Sequence, residues 1–293
     1  MVIDERLARR LVDSQFPRWA DLPVRQVDVS GVDNRTFRLG DELSIRLPAG
    51  DWYSLQVAKE QRWLPVLAPR LPVPIPVPVA RGVPDLGYPY PWSVYRWLDG
   101  ETSGPGTIGD LTTFAVDVAG FLVALAKVDP ADGPPPGPHN FYRGGPLATY
   151  ADDTLRAVED LGDEVPRDAV LAAWDEAMAA EWHGDPVWFH GDVAVGNLLV
   201  RDGKLSAVID FGCCGVGDSA CDVVLAWTLF PRHGRAAFRR TLGVDPATWS
   251  RGLGWALWKA LIVLREQLTG DPAGVPGTRT VLARILSDHA RQA

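Results

Sequence analysis

Two early runs, 27–29 and 36–39, alternate apolar and polar residues and read as strands, with a turn at Gly31, Val32, Asp33 and Asn34 between them. Gly40-Asp41 forms a tight turn into a third strand at 43–47. The period then changes. Tyr53, Val57, Glu60, Leu64 and Leu67 recur at steps of four and three, which predicts an amphipathic helix over 54–67, ended by Pro69. That stripe places a carboxylate, Glu60, among core-facing residues. The segment 71–79, LPVPIPVPV, loses every second N–H to proline, so it must lie extended on a surface or edge rather than within a sheet. Its interleaved apolar residues argue that it is packed. A further strand is expected over 92–98, closed by Asp99-Gly100.

Beyond that point the pattern is helical. A long amphipathic helix is expected over 107–128, followed by a Pro/Gly loop at 130–146 and helices near 148–161 and 167–181. After a hairpin, further helices begin near Asp218, Arg235, Pro246 and Arg279. No repeat or low-complexity linker divides the chain. The expectation is an α+β protein of two lobes, a strand-rich one over 1–98 and a mainly helical one over 99–293.

Composition narrows the partners. The 293 residues are 46% hydrophobic and 23% charged, with a net charge of -8, which argues against a nucleic-acid partner. The start, Met-Val-Ile-Asp-Glu-Arg, has acids where a signal peptide would be basic. No apolar run reaches the ~20 residues that span a bilayer, and Lys259 interrupts the best candidate, 255–264, so no membrane partner is expected. Cys213, Cys214 and Cys221 are odd in number and lack paired metal-ligand spacing, which suits a reducing cytoplasm. Arginine outnumbers lysine 25 to 4.

The most informative stretch is HGDVAVGNLLVRDGKLSAVIDFG, which begins at His190. It sets His-x-Asp-x4-Asn before a strand and then Asp-Phe-Gly. Phosphoryl transfer from a nucleotide needs a carboxylate to take the acceptor's proton and two oxygen ligands for magnesium, and this spacing supplies them. Asp192 is the candidate base, with Asn197 and Asp210 as candidate Mg2+ ligands. Arg46 ends the third strand where the kinase pattern usually has a phosphate-binding lysine, and none of the four lysines fits that strand. Glu60, turned inward, needs a cation. Arg46 is the natural one and Arg62 the alternative. Asp218, after Gly217, suits a helix N-cap, and Asp222 shares its helix face.

On HGDVAVGNLLV and VIDFGCCGVGDSACD, with weaker support from GVDNRTFRL, KEQRWLPVLAPRLPVPIPVPVARG and RWLDGE, the chain resembles the aminoglycoside phosphotransferase family. These are small-molecule kinases with the two-lobed protein-kinase-like fold. The resemblance implies ATP or GTP as co-substrate and a supporting role for His190. It also implies adenine contacts to the backbone near Arg96, Trp97 and Leu98.

Only Cys213 to Gly217 separate Gly212 from the cap at Asp218, so there is no activation segment, and Gly191 replaces the arginine of His-Arg-Asp. A small hydroxylated acceptor is expected. Residues 148–186 hold eleven acids and two arginines, a net -9 that would attract a polycation such as an aminoglycoside, although solvated helix faces explain the same count. A macrolide, amino alcohol or sugar acceptor remains open. So do a nucleotide-binding pseudokinase and a metal-dependent phosphohydrolase.

Overall fold

The computed structural model describes residues 2–27, 31 and 33–291. Of the strand expected at 27–29 only Val27 lies among them, and of the turn expected at 31–34 only Val32 lies outside them. Helix α1 (Glu5–Gln15) is capped by Asp4, whose carboxylate accepts from Leu7 N at 2.8 Å. Strands β1 (Val24–Gln26), β2 (Asn34–Leu39) and β3 (Leu43–Pro48) form a meander. After helix α2 (Asp51–Leu67), strands β4 (Pro78–Gly82) and β5 (Trp92–Arg96) complete an antiparallel sheet of order β1-β2-β3-β5-β4.

Strand alternation gives this sheet two different faces. Phe37, Leu39, Ile45, Leu47, Trp92 and Val94 bury one face against Leu7, Ala8, Leu11 and Val12 of α1. The opposite register turns Ser44, Arg46, Ser93 and Tyr95 toward α2. The proline-rich segment behaves as its missing donors require. β4 lies on the sheet edge, and Pro74 uses its carbonyl to accept from Val208 N at 3.1 Å.

The helical part is built from α3 (Leu111–Ala126), α4 (Ala151–Leu161), α5 (Arg167–Ala179), α6 (Leu225–Thr228), α7 (Arg232–Leu242), α8 (Pro246–Thr269) and α9 (Val275–His289). The 24-residue α8 packs on α4, α5 and α9, while α3 packs on α7. Two small sheets carry the hairpin. β6 (Glu101–Thr102), β8 (Leu198–Arg201) and β9 (Lys204–Val208) pair in the order β6-β8-β9, and β7 (Val187–Phe189) pairs with β10 (Gly215–Gly217). One large core runs from Trp63, Leu64 and Leu67 of α2 into these helices. Among the described residues no helix is long and apolar enough to cross a membrane.

Boundaries shift where caps decide them. α2 starts at Asp51 and runs through Pro65. α3 begins only at Leu111, because Asp110 accepts from Thr113 N at 2.6 Å. Asp218 caps a 3-10 turn, Ser219–Val224, rather than a long helix. It is also gripped by Arg251 of α8, with Nε to Oδ2 at 2.6 Å and Nη2 to Oδ1 at 3.2 Å. Both side chains are buried. Removing one partner leaves an uncompensated buried charge, so Asp218→Ala should cost about 3–5 kcal/mol. Urea unfolding of both proteins checks this, and a loss below about 1 kcal/mol would show that the pair does not hold the loop.

Candidate active site

β7 delivers the chain to His190, whose loop is held from below. The Asp222 carboxylate accepts from His190 N at 2.8 Å and from Gly191 N at 2.7 Å. Burial pushes the Asp222 carboxyl up, and these amide bonds oppose the shift. The His190 ring is fully buried. Asp192 N donates to its Nδ1 at 3.2 Å, which leaves Nε2 to donate to Ile209 O at 3.0 Å. With both nitrogens committed, His190 holds the loop and has none free to move a proton. Gly191 has φ +83°, and a Cβ there would sit 2.4 Å from the Cys213 carbonyl oxygen, so no other residue fits.

This frame presents Asp192, whose side chain is 32% exposed. Oδ1 accepts from Lys259 Nζ of α8 at 2.6 Å, and Oδ2 accepts from Asn197 Nδ2 at 3.3 Å. Asn197 Nδ2 also donates to the Asp192 carbonyl at 2.9 Å. Burial works against the Asp192 charge, but Lys259, aided by Arg143, outweighs it and holds the carboxyl below its usual range. The Asp192 carboxylate is therefore ionised at neutral pH.

Ile209 N donates to Asn197 O at 2.8 Å, which ties Asn197 to the backbone beside Asp210. The Asn197 amide oxygen has no hydrogen-bond partner among the described residues. Asp210 adopts the left-handed conformation with φ 65°, uncommon for a non-glycine residue and typical of functional loops. Asp33, in the turn before β2, is pushed up to about 6, by burial and then by Asp210, with Asp192 adding to the shift; Gln56 and Arg46 oppose it. Carboxylates crowded in this way suit a cation. Among the described residues, however, no three His, Cys, Asp or Glu side chains are arranged to hold a metal unaided.

From the sheet, Arg46 reaches both sides of the cleft. Its Nη1 lies 3.7 Å from Glu60 Oε1 and its Nη2 donates to Asp210 Oδ1 at 3.0 Å. Glu60 also accepts from Tyr95 Oη. Burial opposes the Arg46 charge, but Asp210 and Glu60 more than compensate, so the guanidinium stays protonated. Arg62, the alternative partner, is exposed and 4.0 Å from Asp132. Where the chain leaves β5, Arg96 N donates to Val77 O at 3.2 Å and Trp97 N to Glu42 O at 2.8 Å. Among the described residues the Leu98 amide has no such partner. The Arg96 side chain is exposed, and Trp97 carries the Arg38 guanidinium 4.0 Å above its ring.

Three features escape the sequence reading. Lys59, next to Glu60, is buried and donates to Gly212 O at 2.6 Å, Cys214 O at 2.9 Å and His139 O at 3.3 Å, pinning α2 to the Asp-Phe-Gly loop. Lys259 is the ion partner of Asp192. Arg143, in the Pro/Gly loop, is ringed by Tyr150, Trp255 and Trp258 at 5.3, 5.3 and 4.6 Å from their ring centroids. A rule that every inward charge needs a partner flags both lysines, whereas nothing in the sequence marks Arg143.

These elements bring a fixed carboxylate, a second carboxylate on a left-handed turn and a half-buried arginine close together, groups of the kind that phosphoryl transfer uses. No curated protein matches the chain. Among solved structures, the GDP complex of wild-type aminoglycoside 2'-phosphotransferase-IIIa is 18% identical, with a TM-score of 0.74 over 98% of this chain and 100% of that one. Macrolide 2'-phosphotransferase MphH from Brachybacterium faecium is 21% identical, with a TM-score of 0.64 over 95% and 97%. The gentamicin complex of APH(2")-IIa is 17% identical, with a TM-score of 0.63 over 98% and 99%. At these identities the likeness is one of fold, and it is the two-lobed kinase-like fold. The sequence profile of the phosphotransferase enzyme family (APH) matches residues 24–256, and the chain belongs to that family.

Proposed function

We propose that the protein transfers the γ-phosphoryl group of ATP or GTP to a hydroxyl of a small molecule. Residues 1–98 would hold the nucleotide, and residues 99–293 the catalytic loop and acceptor. The observation that carries this reading is one connected run of contacts, from Asp192 through Asn197 to the Ile209–Asp210 backbone and from Asp210 to Arg46. A phosphohydrolase reading explains neither Arg46 nor Asn197. The three cysteines are free thiols, which supports a reducing, cytoplasmic setting.

In the proposed reaction, Asp192 accepts a hydrogen bond from the acceptor hydroxyl and orients its oxygen toward the γ-phosphorus. The acceptor O–P bond forms as the bond from the γ-phosphorus to the β–γ bridging oxygen breaks. The proton passes to Asp192, and the nucleoside diphosphate leaves. Asp210 and the amide oxygen of Asn197 would hold Mg2+, which neutralises phosphate charge when bound. Arg46 fits the role of the usual lysine. It is permanently charged, it can fork onto two oxygens, and Glu60 fixes it from behind. The adenine is assigned to the linker at Arg96, Trp97 and Leu98. Because two of those amides are used within the fold, the Leu98 N–H is the donor available to it.

Asp192→Asn should lower turnover by ~10²–10⁴-fold while leaving Mg·ATP affinity within about threefold of wild type. Single-turnover kinetics beside a nucleotide titration reads both quantities, and full activity in the variant would refute the base assignment. Nucleotide binding by wild type without transfer to any acceptor would indicate a pseudokinase.

Arg46 and Glu60 should be coupled. In a double-mutant cycle on Mg·ATP affinity with Arg46→Met and Glu60→Gln, the pair should depart from additivity by at least about 1 kcal/mol. Additive losses would remove Arg46 as the phosphate anchor.

Asp33 supplies a pH signature. Its folded-state pKa, about 6, lies above its ordinary value of 3.8. Stability therefore falls as pH rises across that interval, and the cost persists at higher pH. Asp33→Asn should melt at a higher temperature than wild type near pH 8, with the gap closing toward about pH 4. Scanning calorimetry of the nucleotide-free protein at both pH values tests this, and a gap independent of pH would contradict it.

A further inference from the structure

Away from Asp33 and Asp210, the neighbours of Asp192 include cations, and one of these is ringed by aromatic side chains. Lys259 Nζ lies 2.6 Å from Asp192 Oδ1 at the open side of the carboxylate, and its side chain is 36% exposed. After Lys259 and His190, Arg143 also acts on Asp192. Its Nη1 is buried without a hydrogen-bond partner, as is the Trp258 indole N–H beside it. Tyr150 packs against Trp258 with ring centroids 4.2 Å apart and the rings tilted by 45°, and Tyr53 meets Phe141 at 6.0 Å.

Four of the eleven acids of 148–186 are paired with other cations. Asp160 pairs with Arg265 at 3.2 Å, Glu176 with His289 at 2.8 Å and Glu164 with Arg279. Asp153, which does face Tyr150, is bound to Arg156 at 2.7 Å. No acid from that stretch is among the charges that set the state of Asp192.

Building on the phosphotransferase reading, we infer that the acceptor is a hydroxy acid: an apolar or aromatic body with a carboxylate near the phosphorylated hydroxyl, and not a polyamine. A hydroxyl bound to Asp192 lies within reach of the Lys259 ammonium. Nζ is the positive end of its pair with Asp192, so a carboxylate placed against it is attracted and an ammonium placed there is repelled, in a half-buried setting where screening by water is incomplete. The aromatic rings offer the apolar body its surface. A neutral polar body would meet the same rings but gain nothing from the charge.

The test measures Mg·ATP-dependent phosphorylation, read as product mass, of three size-matched sets: aromatic and aliphatic hydroxy-carboxylates, their neutral amides, and the polyamines kanamycin and gentamicin. Each is run with wild type, Lys259→Gln and Lys259→Arg. A general loss of activity on disturbing Asp192 divides out of the ratio of kcat/KM for an acid to kcat/KM for its amide. Wild type should favour the acids. Lys259→Gln should lower the acid-to-amide ratio at least tenfold, mainly through KM, and Lys259→Arg should keep it within about threefold. A polyamine used more efficiently than any acid, or a ratio unmoved in Lys259→Gln, overturns the inference and leaves the phosphotransferase reading standing. Phosphorylation of none of the sets overturns it as well, and absence of Mg·ATP binding overturns both.

Discussion

Everything at this site depends on one guanidinium placed between two carboxylates. Arg46 lies on the inward face of β3 because the alternate residues, Ile45 and Leu47, are needed under α1. Once there, a half-buried cation must be paired, and Glu60 from α2 and Asp210 from the Asp-Phe-Gly loop both close on it. The same contacts satisfy the acids. Breaking either pair strands a charge, so sheet, helix and loop hold one another in register. Lys59 adds a second strap from α2 to the carbonyls of Gly212 and Cys214.

The proposed catalytic loop is held in place for a complementary reason. Its amides are bound by Asp222, its histidine spans to Ile209, and its glycine fits where any Cβ would strike Cys213. Few of these interactions touch a substrate. They hold Asp192 in a single orientation, ionised beside Lys259, ahead of any ligand, and such preorganisation lowers the cost of reaching the transition state.

Much of this was legible in the sequence. Strand alternation, the proline ladder and the stripe through Glu60 correctly located β2, β3, α2 and the edge strand. The spacing from His190 to Gly212 picked out residues that the fold brings together, and inward burial of Glu60 pointed to Arg46 as its partner. Helix starts were less legible, because Asp110 and Asp218 decide them by capping geometry. Lys59 was passed over because α2 is buried on two sides, and a single stripe describes only one. Lys259 was read as an interruption of an apolar run, although the argument applied to Glu60 applies equally to it. The acids of 148–186 are countable in the sequence, but Asp160, Glu164 and Glu176 are paired with residues of α8 and α9 that lie 105, 115 and 113 positions away in the chain.

Phosphorus NMR of the wild-type protein with Mg·ATP and a mixed pool of hydroxylated small molecules tests the central claim most directly. The account predicts loss of the γ-phosphorus signal together with growth of a phosphomonoester signal and nucleoside diphosphate, with no such change when the hydroxylated compounds are omitted. Release of inorganic phosphate from added phosphoesters without any nucleotide would contradict it.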